Sequence, residues 1–280
     1  WNCRGDLVRS TSDGCTTLAG RSPEGALIIA HNEDGFPQLR EECAIVSVTP
    51  EVGLAFTSFA YPGSLCGHTF AVNEKGIVNT VNNIRAVHRP DGMPRQIVAR
   101  ASLNAATLEE AVTLLSATPR AGAFHHTLGQ MGDSRLFSVE ATGSGSSVLE
   151  LSATGGHANH LIHPQLAAIE QIVTGSSGSR QRRLDAWLVT NPPLDAVREE
   201  LVTSLTGTIG PEANLLEPGP ESCRQVVVRY PIIDSDQLAK IVHIDADGEH
   251  PDRRTHVVRG LFSVEEGGDG LRRRIEEIRA

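Results

Sequence analysis

The stretch "DGCTTLAGRSPEGALIIAHNED", residues 13–34, is the part of the sequence that decides the fold. Two strand-like runs, "CTTLAG" and "ALIIAHNED", flank the turn signal "RSPEG", and this pattern predicts a β-hairpin. Because a hairpin returns on itself, it would bring the carboxylate of Asp34 toward the thiol of Cys15. The stretch therefore places a nucleophile and a carboxylate at the same end of one small unit.

The chain beyond this hairpin continues with strand-like runs as far as residue 85. A helical region is predicted over 94–117, and its second half opens on a capping-box spacing at Thr107. Strands resume with "HHTLGQM", "RLFSVEA" and "VLELSA". Strands that come in hairpin-like groups, rather than alternating singly with helices, predict an α+β fold of antiparallel sheet with helices packed outside it.

The last third of the chain mixes helical and strand patterns. Helices are predicted over 164–173 and 180–190, divided by "TGSSGS", with "RQRR" at 180–183 as a solvated helix face. A further amphipathic segment starts at Pro193. The tail then reads as strands at "RQVVVRY", "KIVHID" and "HVVRGLFSV".

Composition bounds the classes of function. A net charge of −9 over 280 residues argues against a nucleic-acid partner, since phosphate binding needs a basic face. No apolar run approaches the roughly 18–20 residues that cross a bilayer, so no membrane partner is predicted. The five scattered cysteines contain no CxxC pair, which favours a reducing compartment over a disulfide framework. Arginine far outnumbers lysine, which is typical of a GC-rich bacterial genome. We predict a cytoplasmic protein, in line with the reducing compartment. No charged-then-apolar leader follows Trp1, but the sequence does not fix the true start of the protein, so export stays open.

The position of Cys15 suggests how its thiol is activated. A cysteine attacks a carbonyl as the thiolate, and its ordinary pKa of about 8.5 means that it needs a base or a cationic neighbour. If the Gly14–Cys15 bond is cut, Cys15 gains an α-amine with a pKa of about 7.7–8.0 beside the thiol. Gly14 suits the scissile position because it tolerates strained backbone angles and leaves room for the thiol to attack.

Two further groups complete the predicted site. Asp34 would orient the α-ammonium of Cys15 and favour its charged form. The tetrahedral intermediate needs an oxyanion donor, and losing one such donor costs roughly 3–4 kcal/mol. The stretch "GGHANHLIHP", residues 155–164, supplies Asn159 as that donor, at a point where a strand is predicted to end in a loop.

These motifs carry a resemblance to a known family. The pattern "DGCTT…PEGALIIAHNED" resembles the start of the mature subunit in the acyl-coenzyme A:6-aminopenicillanate acyltransferase family of self-processing N-terminal-nucleophile enzymes. The stretch "YPGSLCGHTFAVNEKGIVNTVNNIR" resembles most the Tan-like β-alanyl amine hydrolases of that family, and "GGHANHLIHP" resembles its Asn-His element. The bile salt hydrolase and ceramidase branches carry an arginine three residues before the aspartate, where this chain has His31.

The resemblance implies a fold, a processing site and a set of roles. It implies a four-layer αββα sandwich, with residues 1–14 as the end of a propeptide or small subunit and 15–280 as a single domain. Cleavage at Gly14–Cys15 would free the nucleophile Cys15. By position, the orienting carboxylate would be Asp34 and the oxyanion donor Asn159. Apart from the resemblance, four residues are predicted to line the substrate site: His31, Asn82, Tyr61 and His160.

The implied activity is hydrolysis or acyl transfer of a small N-acyl amide through a thioester on Cys15. The Tan-like branch suggests β-alanyl or similar aminoacyl amides. The penicillin acyltransferase and penicillin V acylase branches suggest apolar acyl groups instead. The partners expected are the amide, a second acyl acceptor and the chain's own cleaved propeptide, and no cofactor is expected.

Two alternatives stay open. Cys15 could act in an uncut chain, activated by a histidine such as His31 or His160. The fold could also serve as a binding protein without turnover. A metal site at His157, His160 and His163 is disfavoured, because flanking glycines and Pro164 argue against a helix that would align them, and no metal is predicted.

Overall fold

The computed structural model describes residues 2–3, 14–23, 25–34, 43–117 and 119–189, together with three strands of the tail. Within these residues the chain forms two β-sheets and three α-helices. The helices are α1 (Arg95–Ser102), α2 (Leu108–Ser116) and α3 (Gly175–Val189). In chain order, the strands are β1 (Gly14–Arg21), β2 (Leu27–Asp34), β3 (Ala44–Val48), β4 (Phe56–Ala60), β5 (Phe70–Asn73), β6 (Ile77–Ile84), β7 (Ala123–Gln130), β8 (Leu136–Thr142), β9 (Gly145–Glu150), β10 (Gly155–His157), β11 (Val226–Ile232), β12 (His243–Asp245) and β13 (Val258–Leu261).

The predicted hairpin is confirmed as the pair β1 and β2. The turn closes with a hydrogen bond from the Gly25 N–H to the Ser22 carbonyl at 2.9 Å, and Gly25 takes a positive φ of 88°, which a side chain would disfavour. The strands are antiparallel, and their register sets Cys15 opposite Glu33. Opposed residues share one face of the sheet, so this register decides which carboxylate meets the thiol.

The two sheets differ in connectivity. The first has the order β10-β1-β2-β11-β13-β12, so that β1 lies between its hairpin partner and the short strand before Asn159. The second runs β3 to β9 in sequence order, and every neighbouring pair in it is antiparallel. One pair in the first sheet, β11 with β13, is parallel. The α+β prediction with antiparallel sheets is thereby confirmed.

Alternation along β1 and β2 divides the core into layers. Ala19, Leu27 and Ile29 pack with Phe59 and Phe70 of the second sheet, so one face of the hairpin meets that sheet. The residues that alternate with them pack against the helix α3, as a cluster of Leu18, Ile28, Ala30 and Leu184. On the far side of the second sheet, α1 and α2 contribute apolar side chains to a cluster that includes Val98, Leu108, Leu115, Leu128 and Val139.

The predicted helical region over 94–117 contains two helices rather than one. The side-chain amide of Asn73 donates to the carbonyls of Leu103 and Ala105 at the break, which satisfies backbone groups that a continuous helix would use. The cap at Thr107 is confirmed, since its Oγ1 accepts from the Glu110 N–H at 3.2 Å.

The helix predicted over 164–173 was placed wrongly, and the helix predicted over 180–190 is confirmed but starts earlier. Only Pro164–Leu166 forms a short 3-10 helix, because the chain then pairs through Gln171 with Ala86 at the end of β6. The helix α3 starts at Gly175 and includes the Gly/Ser stretch that was expected to divide two helices. Thr174 caps it by accepting from the Ser177 N–H at 3.1 Å.

The tail is described only in part. The three predicted tail strands are confirmed as β11, β12 and β13. The predicted segment from Pro193 and the residue Cys223 lie outside the described residues. No helix within the described part is long and apolar enough to cross a bilayer.

Candidate functional site

Cys15 lies near the start of β1 and is 3% exposed. It projects from the same face of the hairpin as Thr17, toward the second sheet, because side chains alternate along a strand. Its Sγ donates to the Glu33 Oε2 at 3.1 Å. A buried thiol that touches a buried carboxylate has a proton acceptor in direct contact.

Glu33 connects the thiol to two more polar groups. His31 Nε2 lies 3.1 Å from Glu33 Oε2, and the Tyr61 hydroxyl donates to Glu33 Oε1 at 3.0 Å. Burial raises the pKa of Tyr61 well above its usual value, and the negative charge of Glu33 adds to the effect. Tyr61 therefore stays a phenol and holds the carboxylate as a donor. We call Cys15, His31, Glu33 and Tyr61 the nucleophile cluster.

Neighbouring hydrogen bonds fix the tautomer of His31. Asn82 Oδ1 can only accept, so Thr17 Oγ1 donates its proton to it at 2.7 Å. Thr17 Oγ1 must then accept from His31 Nδ1–H, 2.8 Å away. The second ring nitrogen, Nε2, therefore faces the carboxylate of Glu33. Both groups are acceptors when deprotonated, so the hydrogen bond between them needs one proton, carried by the imidazole or by the carboxyl group.

Asn159 lies just after β10, where the loop was predicted. Its Oδ1 accepts from the Cys15 backbone N–H at 2.8 Å, and its backbone N–H donates to Ser177 Oγ at 2.9 Å. The amide nitrogen Nδ2 is buried and has no hydrogen-bond partner among the described residues. A fixed amide with a free buried donor beside the predicted scissile bond has the features of an oxyanion donor.

Arg180 is a site residue that sequence reasoning missed. Its guanidinium donates to the Cys15 carbonyl at 2.5 Å and to Asn159 Oδ1 at 2.6 Å. The expected solvated face is correct for Arg182 and Arg183, which are exposed, but wrong for Arg180. Arg180 lies beside Ser177 and Gln181, which are buried residues of α3, and no residue pattern in "RQRR" by itself distinguishes it from its neighbours.

Glu33 is a second residue beside Cys15 that sequence reasoning missed, and the role of Asp34 stays a prediction. The backbone of Asp34 pairs with Gly14 at the end of the hairpin, whereas its side chain lies outside the described residues. The signal for Glu33 was present in the sequence: a register set by the turn places residue 33 across from Cys15, on the same face.

Of the four residues predicted to line the substrate site, three lie around Cys15. His31 and Tyr61 belong to the nucleophile cluster, and Asn82 is joined to it through Thr17. His160 instead bonds Ser177 Oγ at 2.8 Å, and burial lowers the pKa of this half-buried imidazole.

A second buried group lies beyond Asn82. The rings of His125 and His157 stack with centroids 3.5 Å apart, and Ser138 Oγ bridges His125 to His163 at 2.8 and 2.9 Å. Glu140 Oε1 lies 2.8 Å from His157 Nε2. We call His125, His157, His163 and Glu140 the histidine cluster. Burial lowers the pKa of His125 and of His163, so these two imidazoles are neutral near pH 7.

One sulfur, one nitrogen and one oxygen, from Cys15, His31 and Glu33, lie within 4.8 Å of one another and have the donor types of a divalent metal site. Their mutual hydrogen bonds already account for this proximity. The three histidines weighed for metal from the sequence face separate partners, as His157 binds Glu140, His160 binds Ser177 and His163 binds Ser138 and Ser147.

Two family models match parts of the chain. Residues 21–213 match the family described as acyl-coenzyme A:6-aminopenicillanic acid acyl-transferase, a range that begins after Cys15. Residues 186–280 match the glutamate synthase central domain, and strand β11, which pairs with β2, falls within that range.

Similar curated proteins and solved structures overlap the chain in part. The glutamate synthase [NADPH] large chain of Bacillus subtilis is 37% identical over 75 residues, which are 27% of this chain and 5% of that protein. Ferredoxin-dependent glutamate synthase 2 of Synechocystis is 47% identical over 53 residues, 19% of this chain and 3% of that protein. The chain thus spans only a few per cent of the length of these relatives.

Among solved structures, an N-acylethanolamine-hydrolyzing acid amidase ortholog of Caenorhabditis elegans is 15% identical. The match covers 53% of this chain and 71% of that one, with a TM-score of 0.42. A conjugated bile acid hydrolase variant from Clostridium perfringens is 12% identical over 60% of this chain and 57% of that one, with a TM-score of 0.39.

The first family match therefore decides the assignment, because it extends over more than half of the chain. The chain belongs to the acyl-coenzyme A:6-aminopenicillanic acid acyl-transferase family.

Proposed function

We propose that this protein is a self-processing cysteine amidohydrolase or acyltransferase whose nucleophile is Cys15, freed by cleavage of the Gly14–Cys15 bond. Family membership supports the general kind, amide hydrolysis or acyl transfer. The observation that carries the proposal is Asn159: its Oδ1 holds the Cys15 N–H while its Nδ2 stays buried without a partner among the described residues. That geometry suits a donor to the oxygen of a tetrahedral intermediate formed at Cys15.

The proposed turnover starts from the cleaved form. The α-amine of Cys15 takes the thiol proton, and the thiolate forms a C–S bond to the substrate carbonyl while Asn159 donates to the oxyanion. Collapse breaks the C–N bond, and the leaving amine takes the proton from the α-ammonium, which leaves a thioester. Water or a second acyl acceptor then attacks the thioester and restores the thiol. Asp34 would orient the α-ammonium in this scheme.

The packing supports a finer fold proposal. We assign the arrangement of α3, the two sheets, and α1 with α2 to a four-layer αββα sandwich. Residues 1–14 would be the end of the propeptide or small subunit, retained as a partner after cleavage. Residues 15–280 would form one domain. The last third of that domain is the part that matches the glutamate synthase central domain, residues 186–280.

The side chains near Sγ favour one class of acyl group. Glu33, His31 and Tyr61 are polar and buried, so a small polar acyl group, such as a β-alanyl or another aminoacyl group, is preferred here over a long apolar one. The Tan-like motifs support the same choice. Apolar acyl groups of the penicillin V type are the alternative, and a binding protein without turnover is the third possibility.

An acyl-group panel tests the proposal. Wild-type protein and the Cys15→Ala variant are incubated with matched p-nitroanilides that carry β-alanyl, glycyl, acetyl, phenylacetyl and octanoyl groups. We expect release of p-nitroaniline by the wild type only, fastest with β-alanyl, and a β-alanyl mass adduct on the Cys15 peptide after rapid acid quench. Equal release by both proteins would exclude Cys15 as the nucleophile. Fastest release from octanoyl anilide would exclude the polar acyl class.

A further inference from the structure

The proposed mechanism leaves one proton without an acceptor. The α-amine of Cys15 exists only after the Gly14–Cys15 bond is cut, because until then this nitrogen is an amide without basicity. The cleavage itself also needs the thiolate of Cys15. In the uncut chain another group must therefore take the thiol proton.

We propose that Glu33, held in place by His31 and Tyr61, takes the thiol proton of Cys15 in the uncut chain and so acts as the base for self-cleavage. This inference rests on the proposed function and deepens it. The same thiol would then use two bases in turn, a side chain for cleavage and its own α-amine for turnover.

Geometry is the first support. Glu33 Oε2 lies 3.1 Å from Cys15 Sγ, within reach for direct proton transfer, and Glu33 is 5% exposed. The other candidate considered from the sequence, His160, bonds Ser177 instead. His31 acts on the thiol only indirectly, because its Nε2 and Cys15 Sγ both bind the same carboxylate oxygen, Glu33 Oε2.

The surrounding network is the second support. The His31 ring donates from Nδ1 to Thr17, so its Nε2 and Glu33 share one proton between them. When that proton is on the imidazole, a positive charge lies within 4.8 Å of Sγ and favours the thiolate. Tyr61 holds the other oxygen, Oε1, and keeps the carboxylate turned toward Cys15.

The thiol proton moves to Glu33 Oε2, and the thiolate forms a C–S bond to the Gly14 carbonyl carbon, whose oxygen becomes the oxyanion. Collapse breaks the C–N bond between Gly14 and Cys15, and the Cys15 nitrogen takes the proton back from Glu33 to become an amine. Water then hydrolyses the Gly14 thioester to a carboxylate and the free thiol, with the new amine as its base.

The experiment follows cleavage of the full chain during cell-free synthesis. A radioactive pulse is chased and quenched in SDS, and the uncut fraction is followed for the wild type and the variants Glu33→Gln, Glu33→Asp and Glu140→Gln. Glu140→Gln is the matched control, because it changes another buried glutamate that lies beside a histidine but does not touch Cys15. Native far-UV circular dichroism is required of each purified variant at the working temperature.

We expect Glu33→Gln to slow cleavage at least about 100-fold, the lower end of the contribution of a positioned base. Glu33→Asp keeps a carboxylate and is expected to cleave faster than Glu33→Gln. A purely structural role predicts the reverse order, because glutamine is the closer isostere. Glu140→Gln is expected to cleave at the wild-type rate.

Other results overturn the inference in distinguishable ways. Cleavage of Glu33→Gln at the wild-type rate, or faster than Glu33→Asp, removes Glu33 as the base but leaves the proposed function intact. A wild-type chain that never cleaves removes the proposed function and the inference together. If Glu33→Gln does not fold, Glu33→Ala is tested with added formate and formamide. Rescue by formate alone supports the carboxylate role, and equal effects of the two additives contradict it.

Discussion

Within the described part of the chain, two buried glutamates lie beside histidines, and their hydrogen bonds differ in kind. Glu33, in the nucleophile cluster, accepts from the Cys15 thiol and the Tyr61 phenol and shares a proton with His31. Glu140, in the histidine cluster, accepts from the backbone N–H groups of Ile162 and His163 as well as meeting His157. The Cys15 thiol and the His31 imidazole beside Glu33 carry protons that can be transferred, whereas the two backbone N–H groups that bind Glu140 carry protons that cannot.

The difference separates a reactive carboxylate from a structural one. Burial by itself would raise the pKa of Glu140, but the hydrogen bond and charge of His157 and the Ile162 N–H outweigh it, and the net shift is downward. Glu140 is thereby kept as an anion that ties the segment after β10 to the second sheet. The two clusters meet at Asn82, whose Oδ1 accepts from both Thr17 and His125. A mutation in the nucleophile cluster is expected to change the rate of cleavage, and a mutation in the histidine cluster is expected to change the free energy of unfolding.

The largest effect is expected at Asn159, on the nucleophile side. Asn159→Ala removes the unpartnered Nδ2 donor and is expected to slow cleavage at Gly14–Cys15 by about 10²–10³-fold, the loss typical of one oxyanion donor. The measurement is the uncut fraction against time by SDS gel. Asn79→Ala, at a buried amide beside His126, is the control and is expected to keep the wild-type rate. Equal slowing in Asn159→Ala and Asn79→Ala would mean that the loss of any buried amide slows cleavage, which contradicts a specific role for Asn159.

The next effect is expected at Glu140. Glu140→Gln replaces an anion whose two oxygens accept from two backbone N–H groups. One of these N–H groups would then face the NH2 of glutamine, which cannot accept, so the free energy of unfolding is expected to fall by about 2–4 kcal/mol. For a chain of this size that corresponds to a melting temperature lower by roughly 5–15 °C. Thermal unfolding by circular dichroism measures it. If Glu33→Gln lowers the melting temperature as much and Glu140→Gln stops cleavage in folded protein, the assignment of roles is wrong.

Acid is expected to destabilise the fold at β7, which carries His125 of the histidine cluster and the adjacent His126. Burial lowers the pKa of His125 and of His126 well below the ordinary value, so both stay neutral in the folded chain. The unfolded chain takes up protons at these residues near pH 6.5, and stability present above that pH is therefore lost as the pH falls below it. Each group contributes up to about 1.4 kcal/mol per pH unit. Denaturant unfolding at pH 7.5, 6.5 and 5.5 checks the slope, which is expected to be shallower in His126→Gln; the same slope in both would contradict this source.

The smallest effect is expected at Tyr61. Tyr61→Phe removes one hydrogen bond to Glu33 but leaves the carboxylate against the thiol. The barrier to cleavage is therefore expected to rise by about 1 kcal/mol, the worth of one hydrogen bond. Cleavage is expected to change by less than about tenfold, the rate equivalent of 1.4 kcal/mol. A complete loss of cleavage in folded Tyr61→Phe would place Tyr61 in the chemistry rather than in support of Glu33.

The sequence supported the parts of this account that depend on local pattern. The turn "RSPEG" predicted the hairpin, and the motif around Asn159 placed that residue at the end of a strand beside Cys15. Glu33 was missed because adjacent strand residues face opposite sides, and a choice between residues 33 and 34 depends on a register that the motif alone does not state. Arg180 was missed because its role depends on where α3 begins, and a Gly/Ser stretch predicts a break more readily than a helix start.

Self-cleavage by Cys15 is tested most simply by the intact mass of freshly purified protein under denaturing conditions, beside the Cys15→Ala variant. We expect two fragments from the wild type that divide between Gly14 and Cys15, and one uncut chain from the variant. A single uncut mass from both proteins, or the same two fragments from both, would contradict self-cleavage by Cys15.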